Sequence, residues 1–239
     1  MDIFYNKNIL ESNQEIIFSA DETKHFIRVL RKNIGDEITV TNGKGLEWVG
    51  LISSVDLKHS RANKLSATVK SRPAENMHIA ISPIKSNSRM DWFIEKATEI
   101  GVNEITPIIC SNTERRNLNM DRCHKIMISA IKQSKRFFIP RLNPIVSFND
   151  FIDLNSNENE LYLAHCHKMK KNEVHELKFM SDKIIVMIGP EGDFSIKEVE
   201  LCIKKGVIPI SLGSNRLRTE TAGILAANNF FIKKHILRS

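Results

Sequence analysis

The chain of 239 residues lacks several features that would place it in a familiar class. No apolar run approaches the roughly 20 residues that a membrane-spanning helix needs, and neither an internal repeat nor a low-complexity tract is visible. The N-terminus has no basic start followed by an apolar stretch, so a cytoplasmic protein without a membrane partner is expected. GxGxxG and GxxxxGK[ST] motifs are also missing, which leaves nicotinamide-dinucleotide and P-loop nucleotide binding without support.

Cysteine is scarce and scattered. The four cysteines form no CxxC pair, which predicts reduced, buried thiols in a cytosolic protein. His165-Cys166-His167 places two histidines on one side of a strand end, but no second ligand pair stands near them at zinc spacing. No metal site is therefore predicted.

Positive charge is in excess. The 35 Lys and Arg residues against 28 Asp and Glu give a net charge of +7 and a pI near 9.2. A basic excess attracts polyanions and is a common electrostatic feature of nucleic-acid-binding proteins. Because many lysine-rich proteins are basic without binding RNA, the charge by itself favours RNA only slightly.

The first 72 residues have the pattern of a small β-rich domain. A short strand precedes a capping-box signal at Ser19-x-x-Glu22, and a strong hairpin signal follows at Thr41-Asn42-Gly43-Lys44-Gly45. Several short strands with one helix suggest a small β-barrel. Residues 71–76 have the composition of a linker, so we predict domains at residues 1–72 and 73–239.

From Met77 onward, strand-like runs alternate with helical patterns. Strands are predicted at 78–81, 105–109, 161–164, 184–188 and 208–212, and helices at about 90–100, 120–136, 196–205 and 221–237. Such alternation predicts an α/β domain with a parallel sheet covered by helices.

Two glycine-bearing turns near the C-terminus are the most informative feature. Residues 188–195 read IGPEGDFS and residues 212–222 read LGSNRLRTETA, and each turn follows a short β-branched run. Each also leads into a helical pattern, so both are expected at the carboxyl edge of the sheet, where α/β proteins bind ligands. Glycine lets the backbone approach a ligand closely. Together the turns predict a ligand pocket.

These two blocks resemble the RsmE-type 16S rRNA uridine-N3 methyltransferases, which belong to the SPOUT class. The resemblance extends to EKATEIGV at 95–102, TER at 113–115, QSKR at 133–136 and HFIRVLR at 25–31, and so covers nearly the whole chain. Two departures stand out. Asp193 occupies the place of a usual third glycine, and Asn215-Arg216 replaces a common arginine followed by an aliphatic residue.

The resemblance implies a trefoil-knotted parallel sheet with helices on both faces, preceded by a PUA-like β-barrel that binds RNA. It further implies S-adenosylmethionine as cofactor, 16S rRNA or the assembled small ribosomal subunit as substrate, and a homodimer. DNA is not an expected partner. The expected reaction is methylation of N3 of a uridine. The alternative is a non-catalytic RNA-binding or ribosome-associated factor, although such a module has no need of the two turns.

The cofactor pocket is predicted at the two turns and at the strand end before them. Its residues are Leu163, Ala164, His165, Ile188, Gly189, Pro190, Glu191, Gly192, Leu212, Gly213, Leu217, Arg218, Thr219, Thr221 and Ala222. Backbone groups in such turns can read an adenine edge while apolar side chains enclose the ring. We therefore expect Gly189→Val or Gly213→Val to abolish cofactor binding without unfolding the protein.

Arg218 is the candidate catalytic cation, with Arg216 as the alternative because of the second departure. Glu191 or Glu220 would orient the guanidinium or accept the uridine proton. A glutamate in a first helical turn is equally typical of helix capping, because the helix macrodipole favours it there.

Two basic clusters are candidate phosphate contacts. Lys24, Arg28 and Arg31 share one helix face at i, i+4 and i+7 spacing, for which a solvated face is the alternative. Arg115 and Arg136 represent the second cluster, which also includes the neighbouring Arg116, Lys132 and Lys135, with Phe137 and Phe138 beside it. Arginines can grip phosphate bidentately and aromatics can stack on unpaired bases, whereas a core position is the alternative for both phenylalanines.

The last predicted helix carries a broad apolar stripe. Its members are Ile224, Leu225, Phe231, Ile232 and Ile236. This stripe packs either within its own chain or, as the resemblance implies, across a homodimer.

Overall fold

The computed structural model describes residues 3–24, 32–56, 59–156 and 160–238. Its contacts divide the chain into two compact units, one of Met1–Arg72 with Ile128–Ile139 and one of Pro73–Met127 with Pro140–Ser239. No helix in these described ranges is both long enough and apolar enough to cross a membrane.

The first unit is built on a five-stranded sheet in the order β1-β3-β4-β5-β2. Its strands are β1 (Ile3–Tyr5), β2 (Glu15–Ile17), β3 (Glu37–Thr41), β4 (Leu46–Ser54) and β5 (Arg61–Val69), with a short helix, α1 (Ala20–Lys24), after β2. The predicted capping box begins α1, because the Ser19 hydroxyl accepts the Glu22 backbone N–H at 3.3 Å and the Glu22 carboxylate accepts the Ser19 backbone N–H at 3.3 Å. The predicted hairpin joins β3 to β4, and Gly43 adopts a positive φ of 72° in it.

The core of the first unit lies on one face of this sheet. Trp48 is fully buried, and its indole N–H donates to the Asn13 carbonyl at 2.9 Å, which satisfies the only polar atom of the ring. The apolar residues packed together with it are Phe4, Ile9, Ile16, Phe18, Ile38, Val40, Leu46, Ile52 and Ala62.

Residues 128–139 also belong to the first unit, which the sequence did not predict. The Phe137 carbonyl accepts the Gly45 N–H at 2.8 Å, and the Gly43 carbonyl accepts the Ile139 N–H at 2.9 Å. Lys70 lies over the Phe137 ring at 4.6 Å and Arg72 over the Phe138 ring at 5.1 Å. Both phenylalanines are therefore half-buried and already covered by cations. The predicted domain division at residue 72 stays a prediction.

The second unit contains an eight-stranded parallel sheet. Seven strands follow the order β11-β13-β10-β12-β6-β7-β8, and β9 pairs with β7. The strands are β6 (Asn76–Ile81), β7 (Glu104–Ile109), β8 (Arg141–Leu142), β9 (Val146–Ser147), β10 (Glu160–Ala164), β11 (Asn172–Glu173), β12 (Lys183–Ile188) and β13 (Ile208–Ser211). The five longer strands confirm the predicted ones, and their near-continuous apolar runs are typical of strands buried on both faces.

Helices cover both faces of this sheet. They are α2 (Asn87–Ile100), α4 (Phe148–Asn155), α5 (Ile196–Lys204) and α6 (Thr219–Arg238), and α3 (Met120–Ser134) lies between β7 and β8 along the chain. On one face, Phe151 of α4 packs edge-on against His78 with ring centroids 5.6 Å apart. On the other, the close approach of Gly223 in α6 to Phe93 of α2 and to Ile81 leaves no room for a larger side chain.

The structure confirms the predicted fold class, an α/β parallel sheet with helices on both faces preceded by a small β domain. Helix α4 and the short strands β8, β9 and β11 were not predicted. Two-residue strands carry no readable periodicity, and the eight residues of α4 are too few for a clear helical pattern. The trefoil knot stays a prediction from the resemblance.

Candidate active site

Three neighbouring strand ends converge at one edge of the parallel sheet. Ala164, the last residue of β10, pairs with Ile188 of β12 on one side and with Ile210 of β13 on the other. The segments that follow these strands therefore emerge side by side, as expected for the carboxyl ends of parallel strands. The two glycine-bearing turns are two of these segments, and His165-Cys166-His167 is the third.

The first turn is braced from two directions. The Asp193 N–H donates to the Pro190 carbonyl at 2.9 Å, which closes the turn, and the Asn112 amide donates to the Gly192 and Asp193 carbonyls at 3.2 and 3.0 Å. Ser195 then caps α5 in a full capping box with Glu198. A rigid turn holds its outward-facing backbone groups at fixed positions.

Asp193 explains how the chain departs from the family pattern at this turn. Its φ is 64°, a left-handed conformation that glycine adopts easily and that aspartate tolerates better than most residues. The carboxylate accepts the Cys166 N–H at 2.8 Å and the Phe194 N–H at 2.8 Å. The aspartate therefore links the first turn to the segment after β10, a connection that glycine lacks.

The second turn is joined to the first through Thr219. The buried Thr219 hydroxyl donates to the Gly189 carbonyl at 3.1 Å. Gly213 adopts a φ of 123°, and nothing lies within 4 Å of the position where its Cβ would be. The glycine therefore opens space at the turn rather than filling a packing position.

Two adjoining cavities lie among these three segments. The Gly189 cavity has a volume of ≈ 300 Å³ and is lined by Ala164, Cys166, Ile188, Gly189, Pro190, Glu191, Asp193, Arg216, Leu217, Arg218, Thr219 and Ala222. The Gly213 cavity has a volume of ≈ 360 Å³ and is lined by Ala164, His165, Cys166, Lys171, Ile210, Ser211, Leu212, Gly213, Ser214, Asn215, Arg216, Leu217 and Ala222. Because both share Ala164, Cys166, Arg216, Leu217 and Ala222, they form one bipartite pocket of a size typical of small-ligand sites.

Most of the predicted cofactor residues line this bipartite pocket, but three do not. Leu163 is fully buried in the sheet, Gly192 lies against Asn112, and Thr221 lines a separate cavity. The sequence did not single out Lys171 or Asp193 as lining residues, although the lysine has a clear role. Its ammonium donates to the carbonyls of His165 and His167 at 3.0 Å each and so orders the segment after β10.

His165 lies in the wall of the Gly213 cavity, and its buried ring lacks hydrogen bonds in the described part of the chain. It is 6% exposed, and neither ring nitrogen has a hydrogen-bond partner within the described part of the chain. Burial, assisted by the nearby Lys171 ammonium, lowers the pKa of His165 below its ordinary value, and Asp193 opposes this shift. The ring is therefore held neutral, with a donor and an acceptor nitrogen both unused.

The two candidate arginines have different surroundings. The Arg216 guanidinium donates to the Glu191 carbonyl at 3.2 Å and so holds the first turn. Arg218 is exposed and lines the Gly189 cavity. It also lines a third cavity, of ≈ 360 Å³, which we call the Trp92 cavity. The other residues that line the Trp92 cavity are Ser88, Arg89, Trp92, Glu220 and Thr221. Arg218 thus stands on the boundary between two cavities.

The two candidate carboxylates lie on opposite sides of that boundary. Glu191 lines the Gly189 cavity, and its carboxylate accepts the Lys85 backbone N–H at 3.2 Å. Glu220 lines the Trp92 cavity, is 7% exposed, and lies 3.7 Å from the Arg89 guanidinium. Arg218 shares one cavity with Glu191 and another with Glu220. Its guanidinium can bind a polar planar group there, and a carboxylate can accept a proton from that group.

Comparison with known proteins identifies the family. Residues 70–230 match the model of an RNA methyltransferase domain, and residues 18–65 match that of an RNA methyltransferase PUA domain. The chain belongs to the RNA methyltransferase family. The reading as a non-catalytic RNA-binding factor therefore has no support, and the predicted PUA-like character of the N-terminal domain is confirmed.

Relatives match over nearly the full length of the chain. Ribosomal RNA small subunit methyltransferase E of Buchnera aphidicola is 30% identical over 93% of this chain and 89% of its own. The structure of a "probable rRNA-methyltransferase" from Porphyromonas gingivalis is 31% identical with a TM-score of 0.89, and covers 99% of this chain and 100% of its own. Ribosomal RNA small subunit methyltransferase E from Neisseria gonorrhoeae, bound to S-adenosylmethionine, is 27% identical with a TM-score of 0.86 over 97% of both chains.

Among the predicted RNA contacts, the structure describes three of five. Lys24 is exposed at the end of α1, whereas Arg28 and Arg31 lie outside the described residues. Arg115 is half-buried and donates to the Ile84 carbonyl at 3.4 Å. Arg136 belongs to the first unit, and burial lowers its pKa. Arg115 and Arg136 thus belong to different units, and the RNA-binding roles stay predictions.

Gly189 is packed more tightly than the sequence suggested. A Cβ at this position would lie 3.0 Å from the ring of Phe194, which is fully buried. A valine here would therefore strain the core as well as the pocket. Phe194 must shift by a few tenths of an ångström to admit the added side chain, and the expectation that Gly189→Val leaves the fold intact stays a prediction.

Proposed function

We propose that this protein is an S-adenosylmethionine-dependent methyltransferase that acts on N3 of a uridine in 16S rRNA of the small ribosomal subunit. The observation that carries the proposal is the position of Arg218 in a chain of the RNA methyltransferase family. Arg218 lies between a bipartite pocket suited to a cofactor and a second cavity that contains an aromatic ring and a buried carboxylate. A group-transfer enzyme needs two adjoining sites of this kind.

The bipartite pocket fits S-adenosylmethionine. Ala164, Ile188, Leu217 and Ala222 provide the apolar surface that an adenine ring needs, and the open space beside Gly213 admits a ligand close to the backbone. Both signs of charge are present for the zwitterionic methionine part of the cofactor. Asp193 and Glu191 are acidic, Lys171 and Arg216 are basic, and all four line the walls of the pocket.

His165 adds a specific reason for a polar ligand in this pocket. Two unpaired nitrogens in a buried ring cost free energy, about 1–3 kcal/mol for each unsatisfied group. A ligand with a hydrogen-bond donor or acceptor near the ring would recover part of that cost. The Lys171 contacts to the His165 and His167 carbonyls keep the imidazole at this wall.

S-adenosylmethionine, when bound, supplies an electrophilic methyl group on its sulfonium. The task of the protein is then to make N3 of uridine nucleophilic, since neutral N3 carries a proton and no in-plane lone pair. Loss of that proton leaves an anion delocalised over N3, O2 and O4. The Arg218 guanidinium would donate to one of these oxygens, and such a donor lowers the activation barrier by about 2.7–4 kcal/mol.

A carboxylate would accept the N3 proton. Glu220 is the better placed of the two candidates, because its buried side chain shares the Trp92 cavity with Arg218. The backbone N–H of Lys85 already binds the Glu191 carboxylate, which suits Glu191 to hold the first turn against the loop before α2. Arg216 has a similar holding role through the Glu191 carbonyl.

A homodimer belongs to the same proposal. Ile232 and Ile236 of α6 are 49% and 63% exposed, so part of the predicted apolar stripe is not covered within the described chain. Exposed aliphatic side chains on one helix are suited to a partner surface of the same kind. Light scattering at micromolar concentration should give a dimer mass, and a monomer mass would contradict this part.

The reaction itself is tested with purified protein, labelled S-adenosylmethionine and small ribosomal subunits from a strain that lacks the modification. Nucleosides are then separated and identified by mass spectrometry against a 3-methyluridine standard. We expect 3-methyluridine that depends on both protein and cofactor, and a parallel reaction with naked 16S rRNA identifies which form is the substrate. Saturable cofactor binding with no methylated uridine from either substrate would overturn the proposal.

A further inference from the structure

Trp92 of α2 is a large aromatic side chain that is exposed at the surface of the described chain. The other tryptophan, Trp48, is fully buried and its indole N–H is bonded, whereas 42% of Trp92 is exposed on α2. In the described part of the chain, no aromatic ring or cation packs over the Trp92 ring. Large exposed aromatics are uncommon and are enriched where a ligand or partner covers them.

The surroundings of Trp92 are polar and charged. The Trp92 cavity, ≈ 360 Å³ in volume, is walled by Ser88, Arg89 and Trp92 of α2 and by Arg218, Glu220 and Thr221 at the start of α6. Arg89 lies 3.7 Å from the Glu220 carboxylate, and the Arg89 side chain is 41% exposed. One aromatic face, two cations and one carboxylate therefore surround a space of small-ligand size.

This cavity meets the cofactor pocket at a single short segment. Arg218 lines both the Trp92 cavity and the Gly189 cavity, and Thr219 and Glu220, the next two residues, each line one of them. Any group held in the Trp92 cavity thus lies beside the residue that we assign to stabilise the uracil anion.

We propose that the Trp92 cavity is the binding site of the target nucleotide, with the uracil ring stacked on Trp92 and the adjacent phosphate bound by Arg89. This inference rests on the proposed function. A base inside a helix is out of reach of an enzyme, so it must be turned out of the stack before reaction. Unpaired bases are held mainly by aromatic stacking, and arginine binds phosphate bidentately. Trp92 would hold the ring in place and Arg218 would bind its polar edge.

Charge argues against a second copy of the chain as the occupant. Three of the side chains that wall the cavity, Arg89, Arg218 and Glu220, are charged, and Trp92 is the single large apolar member. The cores of homodimer interfaces are depleted in charged residues, whereas nucleic-acid sites are rich in arginine. An RNA nucleotide therefore fits these walls better than a protein surface does.

The test compares Trp92→Ala and Trp92→Phe with a control, Ile203→Ala, which alters an apolar side chain of similar exposure on α5. We expect Trp92→Ala to lower kcat/KM for the RNA substrate by about tenfold or more, since stacking on one aromatic accounts for a factor of that order. Trp92→Phe should retain most of the activity because it keeps a ring. S-adenosylmethionine affinity, thermal melting and the mass by light scattering should stay unchanged.

A second readout does not require methyl transfer. Uracil stacked on Trp92 should quench tryptophan emission when a short single-stranded RNA with one uridine is titrated into the full chain, and Trp92→Phe should remove that quenching. Trp48 is buried and serves as the constant background. Quenching without methylation would leave the cavity assignment standing while the proposed reaction failed. Full methylation activity in the Trp92→Ala variant would overturn the assignment. A monomer mass for this variant, with a dimer mass for wild type, would also overturn it, because Trp92 would then belong to a dimer contact.

Discussion

The Thr219 hydroxyl donates to the Gly189 carbonyl at 3.1 Å and so ties together two turns that are 30 residues apart in the chain. The bond is buried, and it connects the first residue of α6 to the end of β12. Because Thr219 and Gly189 both line the Gly189 cavity, this contact fixes the width of the cavity between the turns.

Loss of this bond should weaken both the fold and cofactor binding. Thr219→Val keeps the volume of the side chain but leaves the buried Gly189 carbonyl unpaired, which costs about 1–3 kcal/mol in the free energy of unfolding. Thr219→Ser keeps the hydroxyl and should lie close to wild type. Urea unfolding measures the first effect and calorimetric titration with S-adenosylmethionine the second. Equal stability of the valine and serine variants would show that the bond has no energetic role.

Arg218→Ala should leave cofactor binding intact and lower the single-turnover rate of methyl transfer by about a hundredfold or more, the usual effect of removing one oxyanion donor. Arg216→Ala is the matched comparison. It removes the bond to the Glu191 carbonyl, so its main effect should be a higher Kd for S-adenosylmethionine rather than a slower chemical step. The reverse pattern would assign the catalytic role to Arg216.

Asp193 can be tested with a pair of substitutions. Asp193→Gly loses the acceptors for the Cys166 and Phe194 N–H groups but removes the strain of a φ of 64°, so stability should change by less than about 1 kcal/mol. Asp193→Ala loses the same acceptors and keeps the strain. It should therefore lower the free energy of unfolding by about 1–3 kcal/mol. Equal urea midpoints for the two variants would contradict the role of backbone conformation.

Acid should destabilise the protein through buried histidines. Burial lowers the pKa of His78 from 6.5 to about 4, against the opposing effect of Glu104, while Lys183 and Arg141 add to the lowering. Between pH 6.5 and about 4, His78 is protonated in the unfolded chain but neutral in the folded chain. The free energy of unfolding therefore falls as the pH falls below 6.5. The slope for one histidine is at most about 1.4 kcal/mol per pH unit.

His165, whose pKa burial also lowers, adds to this slope with the same sign. His78→Gln should flatten the dependence of stability on pH between pH 6.5 and 4, as measured by urea unfolding at several pH values. An unchanged slope in this variant would place the acid sensitivity elsewhere.

The basic face predicted on the N-terminal helix can be tested by the salt dependence of RNA binding. Replacing Lys24, Arg28 and Arg31 by alanine should weaken RNA binding and reduce the slope of log K against log salt by about 0.7–0.9 for each lost phosphate contact. A control that replaces the exposed Lys178 and Lys204 should leave the slope unchanged. If affinity and slope both match wild type in the triple variant, the face is only solvated.

The sequence by itself determined the class of the fold and the position of the pocket along the chain. Apolar runs such as Lys183–Ile188 are long enough to predict buried strands, and glycine turns followed by helical patterns predict where a parallel sheet presents its ligand-binding edge. These signals are local, because strand periodicity and turn chemistry depend on neighbouring residues. The helix bounds accordingly agree within three residues for α2, α3, α5 and α6.

Only the tertiary structure decided which side chains meet. The strand order places β10 between β12 and β13, and this order brings Cys166 to Asp193 and Thr219 to Gly189. It also packs α6 beside α2, which puts Trp92 in the same cavity as Arg218 although 126 residues of chain separate them. Contacts of this kind depend on how distant segments pack, and that information is spread over the whole chain instead of residing in any one motif.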